Sequence, residues 1–349
     1  MRKIFPYILL SSLWLPGAAQ AQTLNILTWE AYFSEELISA WEARTGATVN
    51  EIVFDRDEVR NTMLGTVRQG TLDLVTIDKV SAPLFGERGI LVPVAQFRDT
   101  DNLRHLAPRW VESCGSFATP YLWGTMGLVY RRDILPQAPD SWHALLQPEA
   151  SLIGHLGLLD NYINTLAPSL ILREASISTE DEALLSDVYD ELRDLLPSLL
   201  TFDYALTFVG QHPQADSLHL ALAYSGDERE LNRLSGTDDW AYAVPKEGTS
   251  LWVDCLAVVA NSSNQALAMD FLNFINTPAV AAANSEALGI ATPNTAAVAL
   301  QPEAFRNDPL VYPDVATGRT FQEYEAITLN NILMRNRITS ALVNLHESQ

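Results

Sequence analysis

The chain has 349 residues, of which 48% are hydrophobic and 19% are charged, the balance of a globular protein and not of a disordered one. Its 43 acidic residues outnumber the 22 lysines and arginines and give a formal net charge of −21. Such a charge repels nucleic acid and anionic lipid and attracts cations, although acidity can also serve solubility alone. We therefore expect no nucleic-acid partner.

The first 21 residues have the pattern of a secretory signal peptide. Arg2 and Lys3 precede an apolar run at residues 4–15, and the small-residue sequence at residues 19–21 suits a cleavage site. No cysteine stands directly after the run, at the expected cleavage site, so we expect no lipid anchor. No later stretch has the length and apolarity of a membrane span. The pattern predicts a mature chain that begins near Gln22 and is exported to a bacterial periplasm.

After this segment, predicted strands alternate with predicted helices. A strand at residues 24–29 precedes a helix at residues 34–44, for which Ser34 can serve as N-cap and Gly46 as the end. The other predicted strands cover residues 48–54, 72–77, 118–130, 156–159, 218–224, 240–244 and 251–260, and the other helices cover residues 59–67, 82–88, 163–172, 180–196, 266–275, 278–288 and 321–343. The alternation predicts an α/β fold with a mostly parallel sheet covered by helices on both faces.

The length of the mature chain predicts two lobes. Roughly 330 residues exceed the size at which a single hydrophobic core stops growing. The strand at residues 118–130 is crossed by Gly124 and Gly127 and suits a strand that passes from one lobe to the other. We expect the lobes to be joined by several short crossings, because no flexible linker is visible.

Aromatic and acidic residues recur where the predicted strands end. Trp29 ends the first strand and Glu30 follows it, and Trp252 and Asp254 lie in the last strand. The residues at such positions are Trp29, Glu30, Asp78, Asp160, Tyr224, Asp227 and Asp254. Ligands of open α/β sheets lie beyond the carboxyl ends of strands. Aromatic rings attract cations, by about 1–2 kcal/mol when water is excluded, and carboxylates accept charge-assisted hydrogen bonds. The pattern predicts a cleft for an organic cation.

Signatures of catalysis are missing from the sequence. It has no GxSxG, HExxH, Walker or GxGxxG motif, and its six histidines have no metal-like spacing, so we expect neither a metal nor a cofactor. A binding protein is favoured over an enzyme. The alternative from another class is an exported hydrolase that uses Asp227 and Asp254 as acid and base. Taken singly, a strand-end aspartate is more often a cap or turn residue than a ligand contact.

The chain has two cysteines, Cys114 and Cys255. An even pair in an oxidising compartment favours a disulfide, which would stabilise the fold by about 2–5 kcal/mol. Two buried thiols remain the alternative.

The order and spacing of several segments resemble bacterial periplasmic polyamine-binding proteins of the spermidine and putrescine uptake systems. The resemblance spans the mature chain and is carried by LNILTWEAY at residues 24–32, TLDLVTID at 71–78, TPYLWGTMGLVYRRD at 119–133, LWVDCLAV at 251–258 and LGIATPNTAA at 288–297. Within that family the chain is similar to the NspS-type branch of norspermidine and spermidine sensors, through CGSFATPYLWG at 114–124, AYSGDERELNR at 223–233 and WVDC at 252–255.

The resemblance implies a two-lobed periplasmic-binding-protein fold of type II that closes over a ligand between its lobes. We expect a first lobe at residues 22–124 and 256–300 and a second at residues 125–255 and 301–349. It also implies a monomer that hands its polyamine to an ABC permease, or that reports it to the periplasmic domain of an inner-membrane GGDEF/EAL signalling protein.

The resemblance also implies roles for individual residues. Trp29 and Tyr32 would line the first lobe, Trp252 would stack on the methylene chain of the ligand, and Asp254 would neutralise an amine. Tyr224 would add a second stacking ring, and Gln322 a late polar contact.

Several positions depart from the transport pattern. A threonine is replaced by Glu30, a serine and a tyrosine by Asp78 and Val80, and a late tyrosine by Ile290. The acidic pair that grips amines in the second lobe corresponds to Asn161 and Asn164, with Asp160 adjacent. Glu30, Asp78 and Asp227 can offset these losses. We therefore predict a polyamine cleft with rearranged contacts. A cleft for another small cation or for a neutral solute, such as an amino acid or a sugar, is the alternative, and Asn161 and Asn164 leave the sugar open.

Overall fold

The computed structural model of the protein describes residues 22–96, 101–315 and 321–348. The predicted signal peptide at residues 1–21 lies outside the described residues, as do residues 97–100 and 316–320 of the two predicted lobes. The strands are β1 (Thr23–Thr28), β2 (Thr48–Val53), β3 (Leu74–Asp78), β4 (Thr119–Arg131), β5 (Leu156–Gly157), β6 (Leu199–Thr201), β7 (Leu220–Tyr224), β8 (Trp240–Ala243), β9 (Thr249–Val258) and β10 (Phe321–Glu323).

The helices are α1 (Glu35–Thr45), α2 (Asp57–Gly65), α3 (Ser81–Glu87), α4 (Pro108–Cys114), α5 (His143–Leu146), α6 (Ala167–Leu172), α7 (Glu182–Leu195), α8 (Ala205–Gln211), α9 (Asp227–Ser235), α10 (Gln265–Ile275), α11 (Pro278–Leu288), α12 (Thr295–Val298), α13 (Glu303–Arg306) and α14 (Leu329–Glu347). The predicted caps of α1 are confirmed. The Ser34 side chain accepts a hydrogen bond from the Leu37 N–H, and Gly46 ends the helix with a φ of 72°.

The sheet is mixed, which corrects the prediction of a mostly parallel one. In the described ranges the strand order is β2-β1-β3-β9-β4-β7-β5-β6, with β10 beside β9 and β8 beside β4. Neighbours in β2-β1-β3 and in β7-β5-β6 are parallel, as expected for strands linked through helices. The two long strands β4 and β9 run antiparallel to each other, β9 also runs antiparallel to β3, and β4 runs antiparallel to β7 and β8. Apolar runs of this kind carry no signal for strand direction, so the sequence could not show the reversal.

Strand β4 joins the two groups of strands. Thr119–Thr125 pairs with β9, and Met126–Tyr130 pairs with β7, so β4 exchanges one neighbour for the other along its length. This agrees with the prediction that residues 118–130 pass between lobes. We call β1, β2, β3, β9 and β10 with their helices the first lobe, and β5 to β8 with theirs the second lobe. The residue boundaries predicted for the lobes stay a prediction.

Each lobe has its own apolar core. In the first lobe Trp41 of α1 and Phe271 of α10 pack over β1 and β9 with their ring centroids 5.2 Å apart. In the second lobe Leu185 of α7 packs with Ile338 and Leu342 of α14. Among the described residues no single helix has the length and apolarity of a membrane span. Helices α10 and α11 meet that measure only as a pair bent by 76°, by length and composition alone.

The last helix begins later than predicted, which is a second correction. Phe321–Glu323 forms β10, paired in parallel with Thr249–Leu251 of β9, and α14 begins at Leu329 after the N-cap Thr328. The Thr328 side chain accepts a hydrogen bond from the Asn331 N–H and sets this start. A strand of three residues is too short to leave a periodic signal in the sequence.

Candidate ligand-binding cleft

A cleft of about 1940 Å³ opens between the lobes, at the ends of their strands. Eleven of the twelve residues predicted to bind the ligand line it. They are Trp29, Glu30, Tyr32, Asp78, Asp160, Asn161, Asn164, Tyr224, Asp227, Trp252 and Asp254. The topology brings them together because β4 and β9 carry strand ends of both lobes to one place.

Asp254 on β9 is held by Tyr32, which follows β1. The Tyr32 hydroxyl donates a hydrogen bond of 2.7 Å to Asp254 Oδ2. Tyr32 is itself fixed, since its carbonyl accepts a bond of 2.9 Å from the Tyr121 hydroxyl, which accepts one from Asn284. Burial raises the pKa of Asp254 to about 7, although the bond from Tyr32 lowers it. The carboxyl group therefore titrates near neutral pH and gains from a bound cation.

Trp252 stands beside Asp254 with its ring edge-on to Tyr224. The two ring centroids are 6.3 Å apart at an interplanar angle of 82°, and the Trp252 indole N–H donates a 3.2 Å bond to the Thr125 carbonyl. Gly124 makes room for this indole. A Cβ at that position would lie 2.7 Å from Trp252 Cζ2 and 2.2 Å from Ser225 Oγ. The pair of rings provides faces on which an aliphatic chain can pack.

The two asparagines of the second lobe have their amides in use. The Asn161 side-chain oxygen accepts bonds from the Ile163 and Asn164 N–H groups, at 3.0 and 2.9 Å, and so shapes the turn after β5. The Asn164 amide donates a 2.7 Å bond to the Tyr224 hydroxyl. Asn161 therefore organises the backbone, while Asn164 orients an aromatic ring of the cleft.

Asp227 begins α9 and is largely buried. Its carboxylate accepts bonds from the Tyr204 hydroxyl at 2.6 Å and from the Tyr224 N–H at 2.8 Å. Burial raises its pKa to about 7, against the lowering effect of these two donors. Asp227 is thus a second carboxyl group that titrates near neutral pH, on the opposite side of the cleft from Asp254.

Two other predicted carboxylates are engaged in ion pairs. Asp78 accepts bonds from the N–H groups of Val80 and Ser81 at 2.9 and 2.8 Å and pairs with Arg60 at 2.6 Å. Burial raises the pKa of Asp78, but Arg60 and these donors outweigh burial and lower it overall. Asp160 pairs with Arg56 at 3.0 Å. Asp78 therefore also binds the backbone N–H groups that lead into α3, whose N-cap residue is Val80.

Gln322 is the exception among the predicted residues, because it lies outside the cleft lining. Its amide donates to the Ala175 carbonyl at 3.1 Å and accepts from the Ile177 N–H at 3.0 Å. The side chain thereby joins β10 to the loop before α7. Its contact with the ligand, which the resemblance implies, stays a prediction.

Residues that the sequence did not single out complete the walls. Asp57, at the start of α2, lines the cleft and pairs at 2.8 Å with the fully buried Arg60. Tyr162 and Tyr204 line the second lobe's side. The i, i+3 spacing of Asp57 and Arg60 was visible in the sequence, but such pairs are common on exposed helix faces.

The cleft is strongly acidic. Sixteen aspartates and glutamates line it, against four arginines and lysines. Each of the four basic residues has an acidic partner: Arg56 with Asp160, Lys79 with Glu323, Arg229 with Glu228, and Arg233 with Glu230. Within the described ranges no group of three or more His, Cys, Asp or Glu side chains is arranged to hold a metal ion. The electrostatics favour an organic cation over an anion.

A disulfide lies directly behind the site. The structure joins Cys114 at the end of α4 to Cys255 on β9, with their Cα atoms 5.9 Å apart, and Cys255 is adjacent to Asp254. The link ties α4 to the strand that carries Trp252 and Asp254.

Comparison with known proteins identifies the family. The model of the bacterial extracellular solute-binding protein family matches residues 36–313. The chain belongs to this family. This solute-binding protein is 34% identical to the norspermidine sensor of Vibrio cholerae serotype O1, over 95% of this chain and 91% of that protein. It is 27% identical to the spermidine/putrescine-binding periplasmic protein of Salmonella typhimurium, over 86% of each chain.

A solved structure supports the same assignment for the solute-binding protein. The spermidine/putrescine ABC transporter substrate-binding protein PotD of Streptococcus pneumoniae superposes with a TM-score of 0.74 and 25% identity, over 93% of this chain and 99% of that one. These findings confirm the predicted two-lobed α/β fold, the periplasmic location and the resemblance to polyamine-binding proteins. The family is one of binding proteins, which goes against the hydrolase alternative.

Proposed function

We propose that this solute-binding protein binds a polyamine in its cleft, closes over it and reports it to a signalling partner, without chemical turnover. The observation that carries the proposal is the Asp254 carboxylate, which Tyr32 holds beside the rings of Trp252 and Tyr224. A carboxylate next to aromatic faces provides both a charge for an ammonium group and a surface for the methylene chain. The acidic lining supports a ligand with more than one positive charge.

The proposed ligand contacts come from both lobes. Trp29, Tyr32, Asp78 and Asp254 would contact the ligand from the first lobe, with Trp252 between the lobes and Tyr224 and Asp227 on the second. Asn164 would act through Tyr224. Asp227 and Asp254 are the acid and base of the hydrolase alternative, and our proposal gives neither of them a hydrolytic role. Each accepts a hydrogen bond from a tyrosine hydroxyl. That arrangement suits charge recognition.

Sensing is favoured over uptake by one comparison. The chain is 34% identical to the norspermidine sensor and 27% identical to the spermidine/putrescine-binding protein. The proposed partner is the periplasmic domain of an inner-membrane GGDEF/EAL protein. Delivery to an ABC permease is the second candidate, which the transporter relatives support.

Isothermal titration of the ligand-stripped protein with putrescine, spermidine, norspermidine and spermine tests the proposal. We expect saturable binding of at least one, and recovery of the ligand unchanged after incubation. Trp252→Ala and Asp254→Asn should abolish measurable affinity. Asp133→Asn, which removes the same charge from an exposed ion pair outside the cleft, should bind normally. Absence of heat with all four amines, or consumption of the ligand, would contradict the proposal.

An experiment in a bacterial strain that lacks its own copy of the gene distinguishes a GGDEF/EAL partner from an ABC permease. Under the sensing proposal, added polyamine changes cyclic-di-GMP levels only when the protein is expressed. If uptake of labelled polyamine depends on the protein and cyclic-di-GMP levels do not change, the sensing proposal is wrong and delivery to a permease is supported.

A further inference from the structure

Two carboxylates face each other across neighbouring strands at the floor of the cleft. Asp78 on β3 and Asp254 on β9 are direct partners in the antiparallel register. Side chains at such positions have their Cβ atoms about 4.5–5.5 Å apart, and like charges there repel each other. A cation is therefore needed at this point when both groups are ionised.

Arg60 supplies one positive charge next to these carboxylates. Its side chain is fully buried, and it pairs with Asp57 at 2.8 Å and with Asp78 at 2.6 Å. It also donates a 3.0 Å bond to Ser81 Oγ. We call Arg60, Asp57, Asp78 and Asp254 the Arg60 cluster. One guanidinium against three carboxylates leaves two negative charges without a cation when all are ionised.

The carboxylates of the Arg60 cluster face the cleft. The side chains of Asp57 and Asp78 are 25% and 32% exposed, whereas the side chain of Arg60 is fully buried. Both line the cleft, as does Tyr162 from the second lobe. Burial and then the neighbouring Tyr324 raise the pKa of Tyr162, and Asp57 and Asp78 add smaller effects. The two carboxylates and this phenol therefore belong to one cleft lining, with contributions from both lobes.

In the empty cleft, protons relieve the repulsion. Burial raises the pKa of Asp57 to about 6 and that of Asp254 to about 7, whereas Arg60 keeps the pKa of Asp78 low. A ligand ammonium group can replace these protons and satisfy the same charges.

From this geometry we propose that Asp57 is a specificity-determining residue that binds an ammonium group together with Asp78, and that Arg60 is their positioning residue. The inference rests on the proposed polyamine function and deepens it. The two uncompensated charges of the Arg60 cluster and the one on Asp227 match a triamine better than a diamine. Asp57 thereby compensates for the carboxylates replaced by Asn161 and Asn164.

Titration of norspermidine and putrescine into matched variants tests the role of Asp57. In Asp57→Asn we expect the affinity for the triamine to fall at least tenfold and that for the diamine to fall less, so the ratio of affinities drops. Asp55→Asn is the control, because it removes one charge from a cleft-lining residue that is 62% exposed and pairs with Arg56 instead. It should leave the ratio unchanged.

The failure of this inference is distinct from the failure of the proposed function. If the unmodified protein binds no polyamine, the proposed function falls. If it binds and Asp57→Asn keeps the ratio, or lowers both affinities equally, the assignment of Asp57 is overturned.

The positioning role of Arg60 has a separate readout in the pH profile of triamine binding. Arg60→Met removes the cation beside Asp57 and Asp78, so the midpoint of the profile should move to higher pH. Arg60→Lys keeps the charge and should keep the midpoint near that of the unmodified protein. A folded Arg60→Met protein with an unchanged midpoint would overturn the role. If Arg60→Met does not fold, a midpoint of the Arg60→Lys profile well above that of the unmodified protein would overturn the role equally, because Arg60→Lys keeps the charge.

Discussion

Arg56 and Asp160 form an ion pair across the cleft, with Arg56 Nη1 3.0 Å from Asp160 Oδ2. Arg56 follows β2 at one edge of the sheet, and Asp160 follows β5 near the other edge. Asp160, which the sequence predicts as a ligand contact, is therefore already used to join the lobes. The pair can stabilise the closed arrangement only while the lobes are together.

Loss of this pair should speed the release of the ligand. Both side chains are substantially exposed, at 50% and 38%, so the pair is worth about 0.2–1 kcal/mol. Arg56→Ala should therefore raise the dissociation rate by up to about fivefold, with the difference shrinking at high salt. Stopped-flow tryptophan fluorescence measures this rate. Arg104→Ala, which removes an exposed arginine paired within one lobe to Asp101, is the control. Equal dissociation rates in both variants would show that the pair does not hold the lobes.

Gly124 is predicted to be essential for the position of Trp252. Because a Cβ there would lie 2.7 Å from the indole, Gly124→Ala should displace Trp252 and weaken polyamine binding at least tenfold. Overpacking should also lower stability by about 1–3 kcal/mol. Gly65→Ala is the matched control, since no atom lies within 4 Å of the added methyl and helix α2 tolerates alanine. Titration and thermal melting of both variants check the prediction. Normal binding by Gly124→Ala would show that the indole has room to move.

Local signals in the sequence predicted much of the fold. The Ser34 cap and the Gly46 end each act within a few residues, so they could be recognised without a structure. Eleven residues of the cleft lining could be named for a similar reason, because strand ends are marked by the change from apolar to polar residues. The motifs around Trp252 then suggested the ligand class.

The missed features depend on contacts between distant segments. The Arg60 cluster joins α2, β3 and β9, and its partners are up to almost two hundred residues apart in sequence. The direction of β4 and β9 and the turn of Gln322 toward Ile177 depend on tertiary packing in the same way. Asn161 and Asn164 could be located from the sequence, but their bonds to backbone and to Tyr224 could not.

Reduction of the disulfide should destabilise the protein. The bond between Cys114 and Cys255 closes a loop with a sequence separation of 141 residues, and its loss should cost about 2–5 kcal/mol. The double variant Cys114→Ser and Cys255→Ser should melt at a lower temperature than the oxidised protein, and reduced protein should melt like the variant. Mass measurement after alkylation, with and without reduction, verifies the bond. Equal melting temperatures for all three forms would contradict the prediction.

Polyamine affinity should rise with pH through the neutral range. The pKa values of Asp254 and Asp227 are raised to about 7, and a bound ammonium group favours their ionised forms. For one such group, lowering the pH from 8 to 6 should weaken binding about tenfold. Isothermal titration across this range, in buffers with different ionisation enthalpies, should also show proton release on binding. A flat profile would contradict the raised values.

The stability of the ligand-free protein should change in the opposite direction. A carboxyl group whose pKa is higher in the folded than in the unfolded state binds more protons when folded, so the free energy of unfolding increases as the pH falls from about 7 toward 5. Asp57 acts in the same sense, whereas Asp78 and Glu323, with lowered pKa values, lose their contribution only at more acidic pH. Thermal melts at pH 8 and pH 6 measure the effect.

Two variants separate the contribution of Asp254 from that of other groups. Because the bond from Tyr32 lowers the pKa of Asp254, Tyr32→Phe should move the midpoint of binding to higher pH. Asp254→Asn should reduce the pH dependence of stability. Equal pH dependence of stability in Asp254→Asn and the unmodified protein would assign the effect to other groups.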